Sequence, residues 1–261
     1  MPNYVVPLYS GIGNIIQSIP FANEMKKRYG TITAVPFYND YVESIGIVTD
    51  IFDHIYLNQS QIPNGFKFAK IPGRRPFAEY KAWFVDNDEK LPDKFSMENI
   101  KYEPLLDAHK VVLWPECKPN WPCKRWPYFN QLNFDDMAII GLERDETFKN
   151  AIDYRGRLSL LQTGGILKNA GIFIGNEGGM AHYAAALGVK TYIILGCTDP
   201  AKNFPPDNAI PITLNLDCQP CQFKNMMVTE TTAIGCLDKK CLYDLTAERV
   251  LNDISHNDSL R

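Results

Sequence analysis

Two glycines opening a helix are the first chemistry-bearing feature of the chain. Asn176-Glu-Gly-Gly179 runs straight into Met180-Ala-His-Tyr-Ala-Ala-Ala-Leu187, with a glycine stop at Gly188. The backbone N–H groups of Gly178 and Gly179 therefore stand at a helix start, where unsatisfied donors and the helix dipole favour an anion. A phosphate or diphosphate suits such a turn, although many α/β proteins use a glycine pair there for packing alone. His182 falls in the first turn of the same helix and could reach the same anion; the alternative is a hydrogen-bonded, half-buried histidine. Lys124-Arg125-Trp126-Pro127 follows a proline-rich loop. Two cations beside an aromatic ring suit a phosphate, with the lysine as a point charge, or else form a solvated surface pair.

Four cysteines cluster near the C-terminal end as Cys218-x2-Cys221 and Cys236-x4-Cys241, while Cys117, Cys123 and Cys197 are scattered. Four thiolates at these spacings can hold zinc or iron tetrahedrally, and such a metal would be structural, because four protein ligands leave no open position. The other reading is four small, buried apolar side chains. An odd cysteine total and an opening Met-Pro-Asn-Tyr-Val-Val without the basic-then-apolar layout of a secretory signal argue against a disulfide framework. A cytoplasmic location is expected.

These residues need a scaffold, and the hydropathy pattern supplies one. Tyr4–Tyr9 reads as a buried strand, Gly11-Ile-Gly13 as a tight turn, and Ile15, Ile16, Ile19, Ala22 and Met25 recur at helical spacing up to Gly30. Pro20 is expected to start or kink that helix. Strands follow at Thr31–Pro36 and Ile51–Leu57, with a helix over Tyr38–Gly46 between them. The stretch from Asn58 to about Leu106, punctuated by seven prolines and glycines, reads as partly irregular. Strands resume at Lys110–Trp114 and Met137–Gly141, with helices at Thr147–Ile152 and Ser159–Asn169. Strand Gly171–Gly175, the alanine-rich helix and strand Thr191–Leu195 come next, and a helix over Thr246–Ile254 closes the chain. Strand–helix alternation of this kind predicts parallel βαβ units. In open parallel sheets, ligands bind beyond the carboxyl ends of strands, which places Gly11–Asn14, Pro115–Trp126 and Asn176–Gly179 together as candidate site loops.

Composition narrows the function classes. With 261 residues, 45% hydrophobic and 22% charged, the chain has the make-up of a globular protein, long enough for one domain or two α/β halves. No apolar run approaches the ~20 residues that span a bilayer. A net charge of −3 gives no overall attraction to phosphate backbones, so nucleic acid is not the expected partner.

Several motifs, in order, resemble glycosyltransferase family 9, the ADP-heptose:lipopolysaccharide heptosyltransferase group. Gly11-Ile-Gly-Asn-Ile-Ile-Gln-Ser-Ile-Pro20 resembles the family's GxGD…P opening. Pro115 through Lys124-Arg-Trp-Pro127 is similar to its second-domain start, and Asp153-Tyr-Arg-Gly156 with Ser159-Leu160 to its D-x-x-G-x-x-S-L segment. Gly175-Asn-Glu-Gly-Gly-Met-Ala-His182…Ala-Ala-Leu-Gly188 resembles GN-D-S-G-x-x-H-x-A-A-A-L-G. Gly196-Cys-Thr-Asp-Pro200 resembles G-x-T-D-P, and the cysteine-rich tail before Leu245-Thr-x-Glu-x-Val250 matches as well. The resemblance covers residues 4–57 and 110–254.

What the resemblance implies is an α/β GT-B fold, two Rossmann-like domains facing across a cleft. A shortened acceptor domain would span residues 1–106, and a nucleotide-sugar domain with the cysteine-rich tail residues 107–261. It implies inverting, metal-independent transfer of a heptose or related sugar from a nucleotide-diphospho donor, ADP-heptose by family default. The acceptor would be a glycan, a protein side chain or, in a viral setting, a hydroxylated nucleobase of DNA. Donor binding would fall to Lys124, Asn176, Glu177, Gly178, Gly179 and His182, with Asp145 or Glu146 offered to the ribose, and Gly11 and Gly13 would form the acceptor-side loop. The family's presumed general base is the aspartate after GxG, and here that position is Asn14, an amide unable to take a proton. Glu116, just past a strand end, is the preferred substitute, with an exposed loop carboxylate as its alternative reading; Asp40 is the second candidate. The same departure motivates a different class, a catalytically silent sugar-nucleotide binding or assembly protein.

Overall fold

The structure, a computed structural model, describes residues 3–9, 11–36, 42–69, 82–91, 96–143, 145–199, 208–221, 227–228, 233–234 and 238–257. The N-terminal half is built from β1 (Tyr4–Leu8), α1 (Ile12–Tyr29), β2 (Ile32–Pro36), α2 (Val42–Ile45), β3 (His54–Ile55), β4 (Lys67–Phe68) and a helical stretch, α3, at 82–86. Its four strands lie in the order β3-β2-β1-β4, all parallel, with Tyr4 opposite Ile32 and Leu8 opposite Pro36.

The C-terminal half carries β5 (His109–Trp114), β6 (Met137–Ile139), β7 (Ala151–Asp153), α4 (Leu160–Lys168), β8 (Ala170–Asn176), α5 (Gly179–Ala186), β9 (Lys190–Ile194) and β10 (Ala209–Ile212). The short pair β11 (Met227–Val228) and β12 (Ala233–Ile234), α6 (Lys240–Tyr243) and α7 (Ala247–Asn257) complete it. The six main strands lie β10-β9-β8-β5-β6-β7, again all parallel. Renumbered within the half, this is the 3-2-1-4-5-6 order of a doubly wound sheet. Strand order reverses between β5 and β8, so their carboxyl ends, Trp114 and Asn176, flank the crevice where such sheets take ligands.

Side-chain alternation divides that sheet between two layers. Val112, Trp114, Ala138, Phe173 and Ile193 face an apolar layer shared with α1, β1 and β2 of the other half. Val111, Leu113, Ile139, Ile174 and Tyr192 face a second layer closed by Trp126, Phe129 and α7. Trp126 is fully buried, and its indole N–H donates to the Leu245 carbonyl at 2.6 Å, which ties the Lys124–Pro127 segment to the root of the last helix. Burying that one ring contributes about 5 kcal/mol of transfer free energy.

The connection between the halves is packed rather than loose. The Lys101 N–H bonds the Ile47 carbonyl in one half, while its own carbonyl accepts the Tyr183 hydroxyl of α5 at 2.6 Å. Gly164 and Gly165 of α4 let residues 102–105 lie directly against the helix, because a side chain at either would collide with Tyr183, Tyr102 or the Glu103 backbone.

Several expectations need correcting. α1 runs unbroken through Pro20. Ile15, Ile16, Ile19, Phe21, Ala22 and Met25 are buried on it, and their tertiary packing outweighs the bond that the proline removes. Thr147–Ile152 is not helical: Ala151–Asp153 forms strand β7 against β6, since the sheet edge offers a ladder that so short a helix cannot match. The third strand is only His54–Ile55, and β4 and β10 were not anticipated. The start of the expected Tyr38–Gly46 helix lies outside the described residues. Elsewhere the pattern holds: Ser159 caps α4 with a capping box to Gln162, and Thr246 Oγ1 accepts the Arg249 N–H at the start of α7.

Ser159→Ala removes the Oγ that accepts the Gln162 N–H and leaves the backbone N–H of residue 159 on Gln162 Oε1. A loss of about 1 kcal/mol in unfolding free energy is expected, read from urea denaturation with the m-value unchanged.

Candidate functional site

Asn176, the last residue of β8, is completely buried. Its Nδ2 donates to the carbonyls of Pro115 at 2.8 Å and Glu116 at 3.1 Å, and its Oδ1 accepts the Trp126 N–H at 3.0 Å. One amide thus staples the loop leaving β5 to the Lys124–Pro127 segment. Because all of its capacity shown here goes to backbone, it positions the site walls rather than facing a ligand.

Next in sequence, Glu177 is 5% exposed and sits at the centre of a polar knot. Lys124 Nζ donates to Glu177 Oε2, which also accepts the Thr198 hydroxyl at 3.1 Å, while His182 Nε2 stands 3.6 Å from Oε1. Burial alone would push the Glu177 carboxyl up, but Lys124 and His182 outweigh it and hold it down to about 2. The same pairing raises the Lys124 ammonium above its ordinary value, against the pull of its own burial. Lys124 also lies 4.7 Å above the Trp121 ring. A lysine paired inside the fold, rather than dispersed in solvent, is the geometry of a fixed charge aimed at a site.

The α5 amino terminus closes the other side. Gly178 and Gly179 are half-buried, and their lack of side chains has a steric cause. A Cβ at Gly178 would meet the Trp114 ring at 2.6 Å, and one at Gly179 would lie 2.9 Å from Ile12 Cβ. A Cβ at Gly13 would fall 2.8 Å from His182 Cδ2. The first turns of α1 and α5, one from each half, therefore abut with almost no space between them, and two positive helix ends converge on one place. Gly11 precedes α1 at φ +96°, a left-handed conformation that favours glycine. Its neighbour Asn14 lies in that first turn, half-exposed.

The remaining candidates distribute around this centre. Glu116 is 8% exposed, and its Oε1 accepts the N–H groups of both Leu142 and Glu143. Burial raises its carboxyl and those two bonds oppose the rise. The structure gives it a holding role on the turn after β6. Arg125 pairs with Glu143 and Asp145 instead of joining Lys124. Asp145 is exposed in that pair, whereas Glu146 Oε2 is buried without a partner, and burial followed by Asp145 raises its carboxyl. Asp40 lies outside the described residues. Thr198 and Gln17 were not singled out from sequence, although both lie inside quoted motifs, Gly196–Pro200 and Gly11–Pro20. Their chemistry depends on contacts that spacing does not reveal.

The three described tail cysteines do not come together as the zinc or iron reading expects. Cys218 is exposed, Cys221 packs beside the buried Cys123 and Cys197, and Cys241 lies in the apolar layer under α7; Cys236 is outside the described residues. Among the described residues no three His, Cys, Asp or Glu side chains converge to hold a metal. The donor set described therefore does not fit a tetrahedral centre. A different pair does meet: Cys197 Sγ and Cys123 Sγ are 3.3 Å apart, beside Lys124.

The family model described as glycosyltransferase family 9 (heptosyltransferase) matches residues 141–231. The sequence likeness to glycosyltransferase family 9 lies in that stretch. The match runs from β7 through β11, including Glu177 and His182, and begins after Lys124. Among solved structures, the chain is similar to the iron-containing dodecameric glycosyltransferase TibC of enterotoxigenic E. coli H10407, with TM-score 0.68, 12% identity, and 98% of this chain and 76% of that one covered. It is similar to the E. coli heptosyltransferase WaaC with ADP-2-deoxy-2-fluoro heptose, with TM-score 0.65, 10% identity, and 98% and 100% covered. A glycosyl transferase family 9 protein of Veillonella parvula DSM 2008 follows at TM-score 0.59 and 16% identity, with 81% and 86% covered. No curated protein matches by sequence. The fold is GT-B, with two Rossmann-like parallel sheets. Among the described residues no helix is long and apolar enough to cross a membrane.

Two outcomes follow from this geometry. Asn176→Ala strands the Trp126 N–H and two carbonyls in the interior, so a loss of about 3 kcal/mol is expected in chemical denaturation. Glu177, depressed when folded, contributes stability that is complete above its ordinary 4.5 and disappears as pH falls towards 2. In acid titrations of unfolding free energy, Glu177→Gln should be less stable at neutral pH and show a flatter slope below pH 4.5 than the wild type.

Proposed function

We propose that this chain is an inverting glycosyltransferase that moves a sugar from a nucleotide-diphospho donor to a hydroxyl acceptor without a metal in the chemical step. The observation that carries the reading is the buried Lys124–Glu177–His182–Thr198 knot under the amino terminus of α5, at the point where the order of the second sheet reverses. A diphosphate leaving group gains negative charge as the glycosidic bond breaks. Fixed N–H donors of Gly178 and Gly179 and the Lys124 ammonium would meet that charge without reorganising, which is where electrostatic catalysis is most effective. His182 stands on the phosphate side, its Nε2 3.6 Å from Glu177 Oε1.

In this scheme Asn176 and Glu116 hold the walls, and Glu146, with its buried oxygen, is the better placed of the two acidic candidates for the ribose hydroxyls. WaaC with its ADP-heptose analogue and TibC with ADP-D-β-D-heptose support a heptose-type donor, and a glycan or protein side chain as acceptor accords with the acidic charge balance. A cytoplasmic location and a domain division at about residue 106, between the sheets built within 4–68 and 109–212, belong to the same reading.

A second reading, a sugar-nucleotide binding protein without transfer activity, rests on a specific observation. Asn14 replaces the expected aspartate, and Glu116 accepts two backbone N–H bonds instead of facing the seam.

ADP, GDP, UDP and dTDP are compared by thermal unfolding. At 100 times its dissociation constant the preferred diphosphate stabilises the fold by about 2.7 kcal/mol, an upward shift of roughly 5–10 °C. Lys124→Ala and His182→Ala should lose most of that shift; a shift equal to wild type in both removes the pocket. Release of the diphosphate from its sugar conjugate in the presence of acceptors separates transferase from silent binder.

A further inference from the structure

His182 belongs to the second half, yet the first half holds it. Its ring lies against the bare Cα of Gly13, where any side chain would collide, and its Nε2 is 3.3 Å from the side-chain amide nitrogen of Gln17 on α1. Gln17 is 3% exposed, one of few polar side chains in a helix face otherwise given to isoleucine and phenylalanine. Burying an amide in such a layer is unfavourable unless it makes a needed hydrogen bond. At Nε2 this amide and Glu177 Oε1 meet. A carboxylate can only accept, so a proton on Nε2 satisfies it, and the Gln17 amide can turn its oxygen to the same proton because its two ends are interchangeable by rotation.

We propose that Gln17 is a positioning residue for His182, reaching across the seam from the first half to hold the imidazole in one orientation with its proton on Nε2. It acts through His182 and needs no contact with a donor. The consequence is that the phosphate-side histidine is set correctly only when α1 and α5 are docked, so the acceptor-side half helps to build the donor site. The link to catalysis rests on the function proposed above; the holding of the ring does not.

The test uses the full chain, which has only four histidines, labelled with 15N in the ring and observed by two-bond proton–nitrogen correlation. His182→Gln assigns the His182 signals by their loss. A single Nε2–H form is expected in the wild type and in Gln17→Glu, which keeps an acceptor at the same reach. Gln17→Met, which keeps the length and loses the amide, should show mixed tautomers and bind ADP about tenfold more weakly at an unchanged unfolding midpoint. An identical His182 spectrum in wild type and Gln17→Met overturns the proposal, as does scrambling in Gln17→Glu, the comparison that decides if Gln17→Met fails to fold. Failure of wild type to bind ADP counts against the adenine-nucleotide donor reading, while the tautomer comparison still decides the role of Gln17.

Discussion

A buried lysine and a buried glutamate, each costly alone, are tolerable here only together, and much of the site is organised around that constraint. Desolvation of either charge would favour its neutral form, and the mutual attraction in a poorly hydrated setting reverses this for both. Their geometry must then be defended. Thr198 accepts no slack at Glu177 Oε2, His182 guards Oε1, Trp121 covers the ammonium, and Asn176 anchors the strand end from which Glu177 projects. Such a pair is poor evidence for stability in itself. What it provides is two charges fixed in one geometry beside the amino terminus of α5.

The second constraint is steric and lies across the seam. Ile12 against Gly179 and Gly13 against His182 bring two helix amino termini closer than any side chain at those glycines would permit. The apolar layer that flanks them runs without interruption from α1 and β1 to β5, α4 and α5. The two halves therefore share a core at this point, and the connection through Lys101 and Glu103 is hydrogen-bonded to both sides. Glycines that look like a phosphate turn in the sequence prove to have packing reasons as well. The two are compatible, since close approach and half-exposed N–H groups occur at the same residues.

Most of the second half was legible from residue order. Strands β5, β8 and β9 are near-continuous apolar runs, as strands buried on both faces must be, and the glycine pair, alanine-rich helix and capping residues mark their own boundaries. Legibility failed where local signals are weak or are overridden. Pro20 breaks isolated helices, but α1, with its apolar face packed, continues through it. Ala151–Asp153 became a strand because β6 was there to pair with, and β4 and β10 are short edges whose existence depends on a neighbour. Glu116 looked like a loop carboxylate free to act, and the backbone N–H groups of Leu142 and Glu143 claimed it.

What the sequence determined by itself is the parallel α/β plan and the identity of the groups that carry charge and hydrogen bonds, because hydrophobic periodicity, glycine turns and caps act over a few residues. Only the tertiary structure decided which of them meet. Lys124 and Glu177 are 53 residues apart, Gln17 and His182 165. Pairings at such separations are chosen by strand order and by the steric fit of α1 on α5, neither of which leaves a trace in local spacing.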